Sequence, residues 1–193
     1  AIEPIEYANY FGSERGRDGQ FYGNRGPGFP LVAVPFFKLG EVLTHYGPGY
    51  TDPSPDGIGK PTVFTAALPL ANLLIVTLTV VVLFATVALL GYGPPAAAAV
   101  SLLFGLGTMV WPYASKSFFG EPLLMLCTLG AFYWALRYRL ALVNEGRVSQ
   151  VCLGLSAFCL GYAVLVKVTG LVLVPFLAWY LISVSPKGGE NRW

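Results

Sequence analysis

No charged residue occurs between Lys60 and Lys116. A soluble domain carries charge at roughly 25% of its positions. This chain of 193 residues carries it at 11% and is 55% hydrophobic, with a mean hydropathy of +0.62. An interval like this fits lipid, where a spanning helix satisfies its backbone internally. The expected fold is an all-α integral membrane protein. The net charge of +2, without a basic cluster interleaved with aromatics, gives no nucleic-acid partner. Cys127, Cys152 and Cys159 lie inside apolar runs and read as small packing residues rather than a disulfide or metal set.

Residues 1–61 form the polar part and hold Glu3, Glu6, Glu14, Asp18, Glu41, Asp52 and Asp56, seven of the ten acids. They read as an outer-face loop region. Within it, residues 30–46 fit a short helix on the membrane surface, with Leu31, Val34, Phe37 or Lys38, and Val42 on one face. That segment is too short, and too charged at Lys38 and Glu41, to cross a bilayer. Residues 62–184 read as a transmembrane bundle of about five helices. The expected spans are 62–90, kinked at Pro69, then 96–110, 122–136 continuing as RYRLALV, 148–166, and 168–184 interrupted at Pro175. Residues 185–193 form a tail.

The basic residues orient the chain. Arg137, Arg139 and Arg147 follow the third span, and Lys187 and Arg192 follow the fifth. The positive-inside rule puts them in the cytoplasm. Residues 1–61, the loop WPYASKSFFGEP at 111–122, and Lys167 then face outward. Since the chain starts at Ala1, an exported N-terminus requires a cleaved signal peptide or a further helix ahead of it.

The outer face gathers acids, bases and Gly-Pro loops. Arg25, Lys116 and Lys167 could bind a phosphate near the membrane surface. Glu121, or an acid from the first segment, could act as a general base or hold a divalent metal. Each has a plainer reading. Lys116 can be a snorkelling interface lysine, Lys167 a polar residue required by a hairpin turn, and Glu121 a carboxylate favoured at a helix start just ahead of Pro122. His45 has no second metal ligand at useful spacing, and Gly26-Pro27-Gly28 reads as a turn. Gly105 and Gly107, with Ala96 to Ala99, suit close helix packing. The chain has no Walker-type loop, Ser/His/Asp set or Cys/His ligand pattern.

Three segments carry a resemblance. They are DGQFYGNRGPGFPLVAVPFFKLG (18–40), GTMVWPYASKSFFGEPLLMLCTLGAFYWALRY (107–138) and GLSAFCLGYAVLVKVTGLVLVPFLAWYLI (154–182). In order and spacing they resemble GT-C class membrane glycosyltransferases, within the protein-mannosyltransferase and aminoarabinose-transferase-like group, especially its bacterial members. There an outer loop reads roughly G-R-x-Y-x-K/R-x-P-P/G-G. A later loop reads W-P-Y-S-R/K-x-F-F-S-E/D-P, and a further helix ends in a basic residue, here Lys167-Val168-Thr169. The resemblance implies transfer of a sugar from a polyprenyl-phosphate carrier on the outer face of the cytoplasmic membrane. It implies that Arg25, Lys116 and Lys167 face the lipid phosphate. It implies that Glu121 is the second-loop acid, supporting the active site or a metal.

The family's principal acid lies in an Asp-Glu or similar motif after its first transmembrane helix. Glu3 and Glu6 stand near that place in a different context, IEPIEY. The family also carries more helices, so the chain reads as an internal piece or a truncated relative. The alternative is a non-catalytic membrane scaffold subunit that packs against a partner in a larger complex. A transporter fragment fits less well, because the charges sit at span ends.

Overall fold

The computed structural model describes residues 13–15, 21–23, 26–46, 51–52, 60–110, 112, 120–145 and 149–184. They form six α-helices, with two minor ladders in the polar segment. The ladders pair β1 (Ser13–Arg15) with β2 (Phe21–Gly23) and β3 (Thr51–Asp52) with β4 (Lys60–Pro61), both antiparallel. The sequence reading had only loops there. The aromatic pair Phe21-Tyr22 suits the strand β2.

Helix α1 (Gly28–Tyr46) starts two residues before the expected position. The Leu31 N–H donates to the Pro27 carbonyl at 3.2 Å, so the turn itself opens the helix. Leu31, Val34, Phe37 and Val42 are exposed, whereas Phe29, Ala33 and Gly40 are buried. The helix therefore has two apolar faces, and the one that packs is not the one its periodicity picked out.

Helix α2 (Thr62–Leu89) runs on through Pro69. Within it Leu70–Leu89 is long and apolar enough to cross a membrane by length and composition, the one such helix among the described residues. It stops at Gly91, whose φ of +91° suits glycine alone at low cost. Pro94 and Pro95 then start α3 (Pro94–Gly107), where their missing N–H groups cost nothing. The Thr108 hydroxyl closes α3 by donating to the Phe104 carbonyl at 2.6 Å and accepting from the Val110 N–H at 3.3 Å.

Helix α4 (Glu121–Glu145) covers the span expected at 122–136 and its expected continuation through RYRLALV, residues 137–143. Helix α5 (Gln150–Val166) is capped by Ser149, whose side chain accepts from the Cys152 N–H. The last expected span is divided differently from its reading. A 3₁₀ segment, Val168–Val172, precedes α6 (Leu173–Val184), and Pro175 lies in the first turn of α6. Proline is tolerated there, so it helps start this helix rather than interrupting it.

Helices α4 and α5 form the most extensive contact. α2 packs on α1, α3 and α4, and α6 rests chiefly on α4 and the 3₁₀ segment. Small residues allow the close approaches. Ala97, Ser101 and Gly105 are buried at four-residue steps on α3, and a Cβ at Gly105 would lie 2.9 Å from Val80 Cγ2 on α2. Gly107 is exposed, so it does not share that role. Between α4 and α5, the Ser156 hydroxyl donates to the Ala131 carbonyl at 2.8 Å. Ala135, Ser156 and Ala163 are all 0% exposed.

Candidate functional site

The turn Gly26-Pro27-Gly28 sits directly on the end of α5. A Cβ at Gly26 would collide with the Leu165 carbonyl oxygen, and one at Gly28 would lie 2.8 Å from the Val166 nitrogen. Glycine is required here by backbone approach, not only by turn geometry. The Tyr162 hydroxyl fastens the contact by donating to the Gly28 carbonyl at 2.8 Å. Gly120, just ahead of α4, completes the junction, because a Cβ there would meet Phe29 and Val166 at 3.6 Å. The N-termini of α1 and α4 thus converge with the C-terminus of α5. Phe29, Ile75, Leu123, Cys127, Ala163 and Val166 form the apolar floor beneath.

On this floor the Lys167 Nζ donates to Glu121 Oε1 at 3.1 Å. About half of each side chain is exposed, 50% for Lys167 and 47% for Glu121. Lys167 also caps α5 with a cation, and Glu121 places an anion in the first turn of α4; both match the helix dipoles. The Lys167 N–H donates to the Ala163 carbonyl at 3.0 Å, which fixes the backbone from which the ammonium reaches out. An ammonium has three donors.

Of the four residues singled out in sequence, Glu121 and Lys167 are brought together. Arg25 and Lys116 lie outside the described residues. The chain neighbour of Arg25, Gly26, packs on the α5 end beside Lys167. No group of three His, Cys, Asp or Glu residues that could hold a metal occurs among the described residues. A hard divalent cation takes six or more oxygen ligands. At magnesium sites waters and substrate phosphates supply most of them, so Glu121 would contribute one carboxylate to such a shell. The side chain of His45 lies outside the described residues.

Sequence reasoning missed Tyr162 and the backbone-contact role of Gly26 and Gly28. Tyr162 had a usable signal, since a tyrosine inside an apolar run must find a partner for its hydroxyl. The glycines had none beyond a turn pattern, because what demands them is another helix.

The other end of α4 carries a second polar group. Arg137 Nη1 donates to the Tyr133 hydroxyl at 3.1 Å, and the Arg139 guanidinium lies over the Tyr180 ring at 6.0 Å. Compared with protein-family models, curated proteins and solved structures, the chain matches none.

Proposed function

We propose that this chain is an integral membrane glycosyltransferase, whole or in part. It transfers a sugar from a polyprenyl-phosphate donor to an acceptor on the outer face of the cytoplasmic membrane. Membrane integration is supported by the distribution of side chains. Large apolar residues are outside, as with Leu103 at 68%, Phe158 at 67% and Trp179 at 76% exposure, while Ala, Ser and Gly fill the helix contacts. In water that arrangement wastes the hydrophobic effect. In lipid it is the normal way to bring helices together.

Five crossings remain the proposed topology. Helix α3 is about 21 Å long and α5 about 26 Å, against a hydrocarbon core of about 30 Å. Interfacial aromatics and modest local thinning cover such differences. The 3₁₀ segment with α6 spans about 28 Å in all.

One observation carries the activity. The three segments that resemble the GT-C family are remote in sequence, yet they meet at the junction of Gly26–Gly28, Gly120–Glu121 and Leu165–Lys167. Two helix N-termini and an ammonium there favour an anion. In the transfer, the acceptor oxygen bonds to the anomeric carbon as the bond from that carbon to the phosphate oxygen breaks. The acceptor proton passes to a carboxylate base, and the lipid phosphate leaves as an anion. Lys167, Lys116 and Arg25 stabilise that developing charge. Glu121 orients Lys167.

The second reading is the scaffold subunit, and the Glu121–Lys167 contact favours it, because two opposite charges that satisfy each other can simply clasp α4 to α5. The test uses the full-length protein in membranes and measures transfer from a polyprenyl-phosphate sugar. Lys116→Ala is expected to lower turnover by about 10²-fold, and Lys187→Ala, at the opposite face, to change it little. Equal activity in both variants would return Lys116 to a snorkelling role.

A further inference from the structure

Helix α6 rests chiefly on α4 and the 3₁₀ segment, which leaves a trough between α4, α5 and α6. A cavity of about 190 Å³ lies in it, walled by Ala131, Phe132, Leu160, Phe176, Leu177 and Tyr180. A dry cavity of about 150 Å³ with such walls already admits a hydrocarbon ring. Two further features bear on the occupant. The Tyr180 ring lines the cavity, and its hydroxyl oxygen is buried with no hydrogen-bond partner among the described residues. The exposed Arg139 guanidinium stands 6.0 Å from the Tyr180 ring centroid and has no ion pair among the described residues.

We infer that this trough holds one acyl chain of an anionic phospholipid, with Arg139 binding the headgroup phosphate and the Tyr180 ring packed against the chain. The inference rests on the membrane reading above. An apolar trough that ends beside a guanidinium with no ion pair among the described residues complements an amphiphile with a negative head. A neighbouring apolar helix would fill the trough but leave the guanidinium unmet. Arginine suits this role because its planar fork matches a phosphate. The site is separate from the proposed donor site, since Arg139 lies about 27 Å along α4 from Glu121. In the proposed topology it faces the cytoplasmic leaflet.

The test is native mass spectrometry of the full-length protein, released from detergent with phosphatidylglycerol or phosphatidylcholine added. One phosphatidylglycerol should be retained at least tenfold better than phosphatidylcholine. Arg139→Gln should weaken phosphatidylglycerol retention about tenfold, the scale of one charge-assisted hydrogen bond, and leave phosphatidylcholine unchanged. Leu177→Trp, which fills the trough, should weaken both. Arg139→Gln alters only an exposed side chain, so it carries the test even if Leu177→Trp misfolds. Equal retention of the two lipids, an unchanged Arg139→Gln, or a dimer that Leu177→Trp abolishes would each overturn the inference. Carbonate extraction of the same membranes separates the two readings. A chain that washes off sinks the membrane reading, and this inference with it. A chain that stays but shows no lipid preference sinks this inference alone.

Discussion

At the scale of the residue, the Glu121–Lys167 contact is a poor stabiliser and a good discriminator. Half-exposed ion pairs contribute about 0–1 kcal/mol, so losing this one should barely move the melting temperature. If Lys167 faces the leaving phosphate, Lys167→Ala should lower transfer about 10²-fold all the same. The reversed pair, Glu121→Lys with Lys167→Glu, keeps an ion pair but sets both charges against the helix dipoles, and it should not restore transfer; recovered transfer would identify a clasp. The glycines divide as sharply. Gly28→Ala drives a Cβ to within 2.8 Å of the Val166 nitrogen and should cost about 1–3 kcal/mol. Gly154→Ala meets nothing within 4 Å in the exposed middle of α5 and should stabilise by about 0.5–1 kcal/mol. Thermal unfolding in detergent reads both.

At the scale of the element, each helix is started and stopped by local chemistry and then located by its small residues. Pro94 and Pro95 start α3, Thr108 ends it, and the Ala97-Ser101-Gly105 stripe sets how near it comes to α2. The stripe makes a clear prediction. Gly105→Leu should separate α3 from α2 and destabilise by about 1–3 kcal/mol. Gly107→Leu, on an exposed position two residues on, should have little effect. Equal melting of the two variants would mean that the α2–α3 contact does not depend on the stripe. The same logic explains α6. Its first turn accepts Pro175, and the 3₁₀ segment before it bends back, so that a Cβ at Gly170 would lie 3.0 Å from the Ala163 backbone. Continuous apolar sequence from Val168 to Val184 conceals that division.

At the scale of the whole molecule, the two ends of α4 differ in kind. One end joins Glu121 to Lys167, and the other carries Arg137 and Arg139 beside tyrosines. The proposed topology sets these ends on opposite sides of the bilayer. In a variant lacking Cys127, Cys152 and Cys159, single cysteines at Ser115 and Asn144 should therefore label from opposite sides. Labelling of both from one side would sink the topology and the orientation of the proposed site.

The helical class, the helix positions to within a few residues, and the candidacy of Glu121 and Lys167 were all legible in the chain. Hydropathy, proline placement and charge spacing are local properties that a short window contains. The junction was not legible. The sequence reading set Glu121 and Lys167 on one face, but nothing near Glu121 indicates that it pairs directly, at 3.1 Å, with a lysine 46 residues away, or that Gly26 and Gly28 must clear the backbone of α5. Nor could periodicity choose between the two apolar faces of α1. A position packed against another helix and one left facing outward are both apolar, and composition cannot tell them apart. That choice depends on where small side chains let two backbones close, which is decided only when the helices meet.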